Sequence, residues 1–67
     1  MKIISISSGV GGISYVIEYR GTQYCVTLSH YNANEVWHQH TPRKVRNDSK
    51  LHAMLCTFAT NHRQGEL

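Results

Sequence analysis

Apolar side chains alternate with polar ones along the first half of the chain, from Ile4 to Leu28. A period of two residues is typical of β-strands that bury one face, and the residue types are the Ile, Val, Tyr and Thr that strands prefer. Glycines interrupt the pattern at residues 9–12 and again at Gly21. The sequence therefore predicts three strands, at roughly residues 2–8, 13–20 and 23–30, which form an antiparallel meander.

The second hairpin of this meander has a predicted register. A two-residue loop of residues 21–22, with glycine first, suits a type II′ turn. Counting outward from that loop places Ile17 opposite Val26 and Tyr15 opposite Leu28. The turn and the apolar pattern therefore select the same face of the sheet.

The first hairpin extends this apolar face. A four-residue loop of residues 9–12 would place Ile6 opposite Tyr15 and Ile4 opposite Ile17. The opposite face carries mainly hydroxyl and other polar side chains, which suit contact with water. One face of the predicted sheet therefore needs a cover.

A C-terminal helix can provide this cover. Apolar residues recur there at helical spacing and form one stripe: Leu51, Met54, Leu55, Phe58 and Ala59. Residues that favour a helix N-cap precede the stripe: Asn47, Asp48 and Ser49. The sequence predicts a helix at about residues 49–63 and a single α+β domain over residues 1–67, in which the meander is packed by this helix.

Residues 33–40 leave two interpretations open. Asn32 followed by Glu35 resembles a helix cap, and Ala33, Val36, Trp37 and His40 would then share one helical face. The alternative is a fourth strand at residues 36–40, because so short a segment has no readable period. We prefer the short helix on the strength of the capping signal.

The basic residues are concentrated in one stretch of the chain. The net charge is +3, and four of the seven Lys and Arg residues lie within residues 43–50: Arg43, Lys44, Arg46 and Lys50. Such a cluster can neutralise phosphates, and Tyr31 and Trp37 lie close enough in sequence to stack on bases. A lone Trp in a small domain is more often a core residue. The cluster predicts a small regulatory protein that contacts nucleic acid locally.

A second hypothesis concerns the edges of the predicted sheet. The third strand contains no Pro, no Lys and no inward charge that would block pairing with another strand. We expect this edge to bind a host or cellular protein, as a phage- or plasmid-type accessory factor would, or to form a homodimer. The alternative is that residues 32–42 fold back and cover this edge. The residues expected at this interface are Tyr24, Val26, Leu28, Tyr31 and Trp37.

Other classes of function have weaker support in the sequence. His38, His40, His52 and Cys56 suggest a zinc site, but their spacing matches no standard zinc signature, so we predict neither metal nor cofactor. The four carboxylates have no spacing that suggests acid and base roles, so we expect no enzyme. Two cysteines, no signal-peptide pattern and no apolar window of about 18 residues predict a cytoplasmic protein without a membrane span.

Overall fold

The computed structural model describes residues 1–31 and 33–65 and has four strands and one helix. The strands are β1 (Lys2–Gly9), β2 (Gly12–Tyr19), β3 (Thr22–Ser29) and β4 (Glu35–His38), and the helix α1 spans Lys50–Gly65. The strands form one antiparallel sheet in the order β1-β2-β3-β4. The predicted α+β class, the three-stranded meander and the C-terminal helix are confirmed.

The turn between β2 and β3 differs from the predicted one by one residue. Tyr19 pairs with Thr22, so the loop consists of Arg20 and Gly21, with φ values of 51° and 76°. Two positive φ values describe a type I′ turn, whose twist matches that of the flanking strands. The register consequently shifts by two residues and places Ile17 opposite Tyr24. A shift of two residues leaves every side chain on its predicted face.

The pairing of β1 with β2 is confirmed at one position and wrong at another. Ile6 lies opposite Tyr15 as predicted, but a bulge between Ile3 and Ser5 places Ile3, and not Ile4, opposite Ile17. Ile3 therefore packs against the core, whereas Ile4 is exposed. The extra residue of a bulge bends the strand and interrupts its regular pairing.

The preferred short helix at residues 33–40 is wrong, and the fourth strand is observed instead. β4 pairs with β3 and places Val36 opposite Val26, where both side chains are fully buried. The chain then turns and runs back, so that the Val45 N–H donates to the Val36 carbonyl at 2.8 Å. These hydrogen bonds and the buried valine favour the strand over an isolated helical turn, which would bury little apolar surface.

α1 begins after a side-chain cap. The N–H of His52 donates to Ser49 Oγ at 3.1 Å, so Ser49 is the N-cap among the three candidates. The helix packs against β3 and β4 and completes a core of nine buried residues: Tyr15, Ile17, Tyr24, Val26, Leu28, Val36, Val45, Leu55 and Ala59. Within the described residues, no helix has the length and apolar character that a membrane crossing requires.

Candidate binding surfaces

The four basic residues lie on the segment that joins β4 to α1. Arg43 and Lys44 belong to the returning chain beside β4, Arg46 follows it, and Lys50 is the first residue of α1. All four residues are exposed to solvent. The structure therefore brings the predicted cations to one end of the sheet, next to the helix N-terminus.

Two of these four cations have acidic partners. Lys44 Nζ lies 3.3 Å from Glu35 Oε1, and Arg46 Nη2 lies 3.0 Å from Asp48 Oδ2. Arg43 and Lys50 form no ion pair with any residue that the structure describes. The positive field of this segment is consequently smaller than its sequence indicates, because two carboxylates offset two of the charges.

Trp37 lies beside the basic segment and is not a core residue. It pairs with Cys25 of β3 and, through an isolated bridge, with Lys44. Residues directly opposite each other in a sheet share a face, and the alternation places Trp37 on the face away from Val36 and the helix. The side chain is 39% exposed there. The expectation of a buried tryptophan is therefore wrong, and an aromatic ring lies next to a lysine on the open face.

The predicted edge strand is wrong, because β3 is an interior strand. It pairs with β2 on one side and with β4 on the other. Three of the expected interface residues are buried in the core under α1: Tyr24, Val26 and Leu28. The other two, Tyr31 and Trp37, are exposed. The alternative is observed instead, because the chain folds back after β3 and Glu35–His38 cover this edge as β4.

The open edge of the sheet belongs to β1. This strand pairs with β2 along one side, and the described residues place no strand along its other side. Residues of β1 also expose apolar side chains: Ile4 is 44% and Ile6 is 43% exposed. By contrast, the outer edge of β4 is partly covered, because the His38 N–H donates to the Arg43 carbonyl at 2.8 Å.

The exposure of Ile6 follows from the position of the helix. Ile6 lies opposite Tyr15, a core residue, and so points to the same face of the sheet as the helix. α1 packs mainly on β3 and β4, and its His62 also contacts Tyr15 of β2. The helix-side face of β1 consequently keeps an uncovered apolar strip beside an unpaired edge.

Of the residues considered for zinc, His52 and Cys56 contact each other, whereas His40 contacts a glutamine. Cys56 Sγ is 3.7 Å from His52 Nδ1, whereas His40 Nε2 contacts Gln23 Oε1 at 3.1 Å. Burial raises the pKa of the Cys56 thiol above its ordinary value, which disfavours the thiolate that binds metals. The described residues contain no group of three or more His, Cys, Asp or Glu side chains placed to hold a metal ion.

Comparison with known proteins identifies no relative. No protein-family model, no curated protein and no solved structure matches the chain. Among the described residues, the open edge of β1 and the basic segment with Trp37 are the features on which a function is proposed below.

Proposed function

We propose that the chain is a small non-enzymatic binding protein that adds a strand of a partner protein to the open edge of β1. The observation that carries this proposal is an unpaired edge next to Ile4 and Ile6, whose side chains are each more than two-fifths exposed. Strand addition supplies affinity through backbone hydrogen bonds and specificity through alternate side chains.

The backbone of β1 has donors available for this pairing. Gly9 and Gly12 close the two-residue loop of the first hairpin, so they form a hydrogen-bonded pair. Alternation then directs the amides of Ser7 and Ser5 towards β2 and those of Ser8 and Ile6 outward. The bulge between Ile3 and Ser5 limits regular pairing with an added strand to residues 5–9.

β1 also lacks most features by which proteins protect an exposed edge. It contains no proline, and its single charge, Lys2, lies at its first residue. The bulge is its one protective feature, and it lies near the same end. Residues 5–9 therefore form a neutral, regular stretch that another strand can join.

The experiment is affinity capture from a cell lysate with wild-type chain and two variants at Ser8. Ser8→Pro removes an outward amide without removing a hydrogen bond to β2, and Ser8→Ala keeps that amide. We expect Ser8→Ala to capture the wild-type partner and Ser8→Pro to lose it. Capture at the wild-type level by a folded Ser8→Pro, verified by circular dichroism, contradicts strand addition at β1.

A second candidate function is contact with nucleic acid through the basic segment. The observation that favours it is the pairing of Trp37 with Lys44 on the open face of the sheet, with Arg43 and Lys50 free of acidic partners among the described residues. An exposed aromatic ring beside cations can stack on a base while the cations contact phosphates. The two ion pairs make this the weaker candidate.

Salt dependence tests the second candidate. With two to four phosphate contacts, the logarithm of the DNA affinity falls with the logarithm of the salt concentration with a slope of about −2 to −4. Changing Arg43, Lys44, Arg46 and Lys50 to Ala should remove this dependence. Glu35→Gln frees Lys44 and should strengthen binding, whereas Glu18→Gln makes the same charge change opposite Lys2 and serves as the control. Equal effects of the two glutamine variants would exclude a local contact at Lys44.

A further inference from the structure

We infer that the strand added to β1 is the β1 strand of a second copy of this chain. This inference rests on the proposed function of the β1 edge and names its occupant. Two chains would then share one continuous eight-stranded sheet, related by a twofold axis perpendicular to the sheet. Such an interface is isologous, because the same surface of both copies contributes to it.

Symmetry and sheet geometry together favour a particular register. In an antiparallel pair, residues directly opposite each other share a face, and a residue on the twofold axis lies opposite its own copy. Ile6 has an outward amide and lies near the middle of β1. Pairing centred on Ile6 forms two hydrogen bonds at the axis and brings the two Ile6 side chains together on the helix side of the sheet.

Charge favours a second copy as the occupant. Lys2 is the one charged residue of β1, and it lies beyond the bulge, four residues before Ile6. The two Lys2 residues would be about 26 Å apart along the shared edge, given a rise of about 3.3 Å per residue. This separation exceeds the Debye length of about 8 Å at physiological salt. Self-pairing therefore brings no like charges together.

Burial favours the same occupant. Ile6 is exposed in the single chain because α1 packs mainly on β3 and β4, and Ile4 is exposed at the bulge. A second copy brings its own exposed Ile6 to the same strip, on the same side of the sheet. Both copies then contribute apolar side chains to the contact across the axis. The apolar surface buried there adds to the small core of a chain of 67 residues.

Sedimentation equilibrium over a concentration series tests this inference directly. The wild-type chain should approach twice its mass of 7.6 kDa as concentration rises. Ile6→Lys and Ile6→Glu should each weaken self-association at least tenfold, because like charges would meet at the axis. An equimolar mixture of the two variants should recover a dimer. Met54→Lys introduces the same charge at an exposed apolar residue of α1 and should remain dimeric.

Hydrogen exchange of the wild-type chain provides a readout that needs no variant. The amides of Ile6 and Ser8 should gain protection as the concentration rises, while that of Ser7, bonded within the sheet, should be protected throughout. Unchanged exchange at Ile6 and Ser8, or a dimer that survives both charge variants, overturns self-pairing at β1. A wild-type chain that stays monomeric also overturns self-pairing. In that case, lysate capture that Ser8→Pro abolishes would still support addition of a strand from another protein.

Discussion

Ile3 lies opposite Ile17 across the first two strands, and the residue after it, Ile4, is the extra residue of a bulge. This relationship decides which of two adjacent isoleucines belongs to the core. Ile17 is fully buried and Ile3 packs against the core, whereas Ile4 is exposed. The bulge thereby leaves an apolar side chain available at the edge of the sheet.

The first prediction compares alanine substitutions on the two sides of this bulge. Ile17→Ala should lower the free energy of unfolding by about 2–5 kcal/mol, because it removes a fully buried side chain and leaves a cavity. Ile4→Ala should cost less than about 1 kcal/mol. Urea unfolding followed by circular dichroism at low micromolar concentration measures both values. Equal losses would contradict the position of the bulge.

The second prediction concerns Gly12, the first residue of β2. Its φ is +152°, and a Cβ atom there would lie 2.3 Å from the carbonyl oxygen of Leu28, which belongs to the backbone of β3. Gly12→Ala should therefore destabilise the chain by about 2–3 kcal/mol through strain and a displaced strand. Gly11→Ala is the matched control, since nothing lies within 4 Å of its Cβ position. The difference between their urea midpoints checks the prediction.

The third prediction concerns the cap of α1. Ser49 Oγ accepts a hydrogen bond from the His52 N–H, and its hydroxyl donates to the Arg46 carbonyl at 2.7 Å. Ser49→Ala should cost about 1 kcal/mol, and Ser49→Asp should retain most of the stability because aspartate is also a good N-cap. Asp48→Ala, at a neighbouring cap candidate, should change stability by less than about 0.5 kcal/mol. A larger loss of stability for Asp48→Ala than for Ser49→Ala would contradict the assignment of Ser49 as the N-cap.

The fourth prediction uses Lys50 to separate stability from nucleic-acid binding. Lys50 is the first residue of α1, and the first turn of this helix contains no acidic residue. A positive charge there opposes the helix dipole, so Lys50→Glu should raise the free energy of unfolding by about 0.3–1 kcal/mol. The same substitution should weaken binding to DNA or RNA if the basic segment contacts phosphates. Because the variant is expected to be more stable, a loss of binding could not be attributed to misfolding. Unchanged binding would count against the contact with phosphates.

The fifth prediction concerns the reactivity of Cys56. Burial raises the pKa of this thiol, so less thiolate is present in the folded chain at pH 8 than in the unfolded chain. Iodoacetamide should therefore alkylate Cys56 of the folded Cys25→Ser variant more slowly than the same variant in urea. Because folding disfavours the thiolate, stability should fall as the pH rises past the unfolded value of about 8.5, and Cys56→Ala should lose this dependence. Equal alkylation rates would contradict the burial.

The local patterns of the sequence predicted the elements well where they were long. The three strands of the meander and a helix close to Lys50–Gly65 follow from periods of two and of 3.6 residues. The faces of β2 and β3 also follow, because a register error of two residues at the Arg20 turn leaves each side chain on the same side. The type of turn was missed because glycine is acceptable at either central position of the primed turns.

Pairing between residues distant in the sequence could not be predicted from such local patterns. β4 has four residues, too few to show a period, and it forms because β3 offers hydrogen bonds and a buried position beside Val26. The bulge at Ile4 likewise depends on the fit of β1 to β2. Among the candidate binding residues, the four cations lie on one segment of the sequence, but the ion pair of Lys44 with Glu35 exists only because the chain returns beside β4.

The sequence by itself determined the apolar face of β2 and β3 and most of the helix stripe that covers it, since these depend on local backbone periods. Met54, predicted in that stripe, is exposed. Only the tertiary structure decided which edge of the sheet stays open. Residues 35–45 pair with β3 and then with themselves, so β3 becomes an interior strand and β1 keeps the free edge. The physical reason is that an edge is defined by hydrogen bonds to strands far away in sequence, which no local pattern specifies.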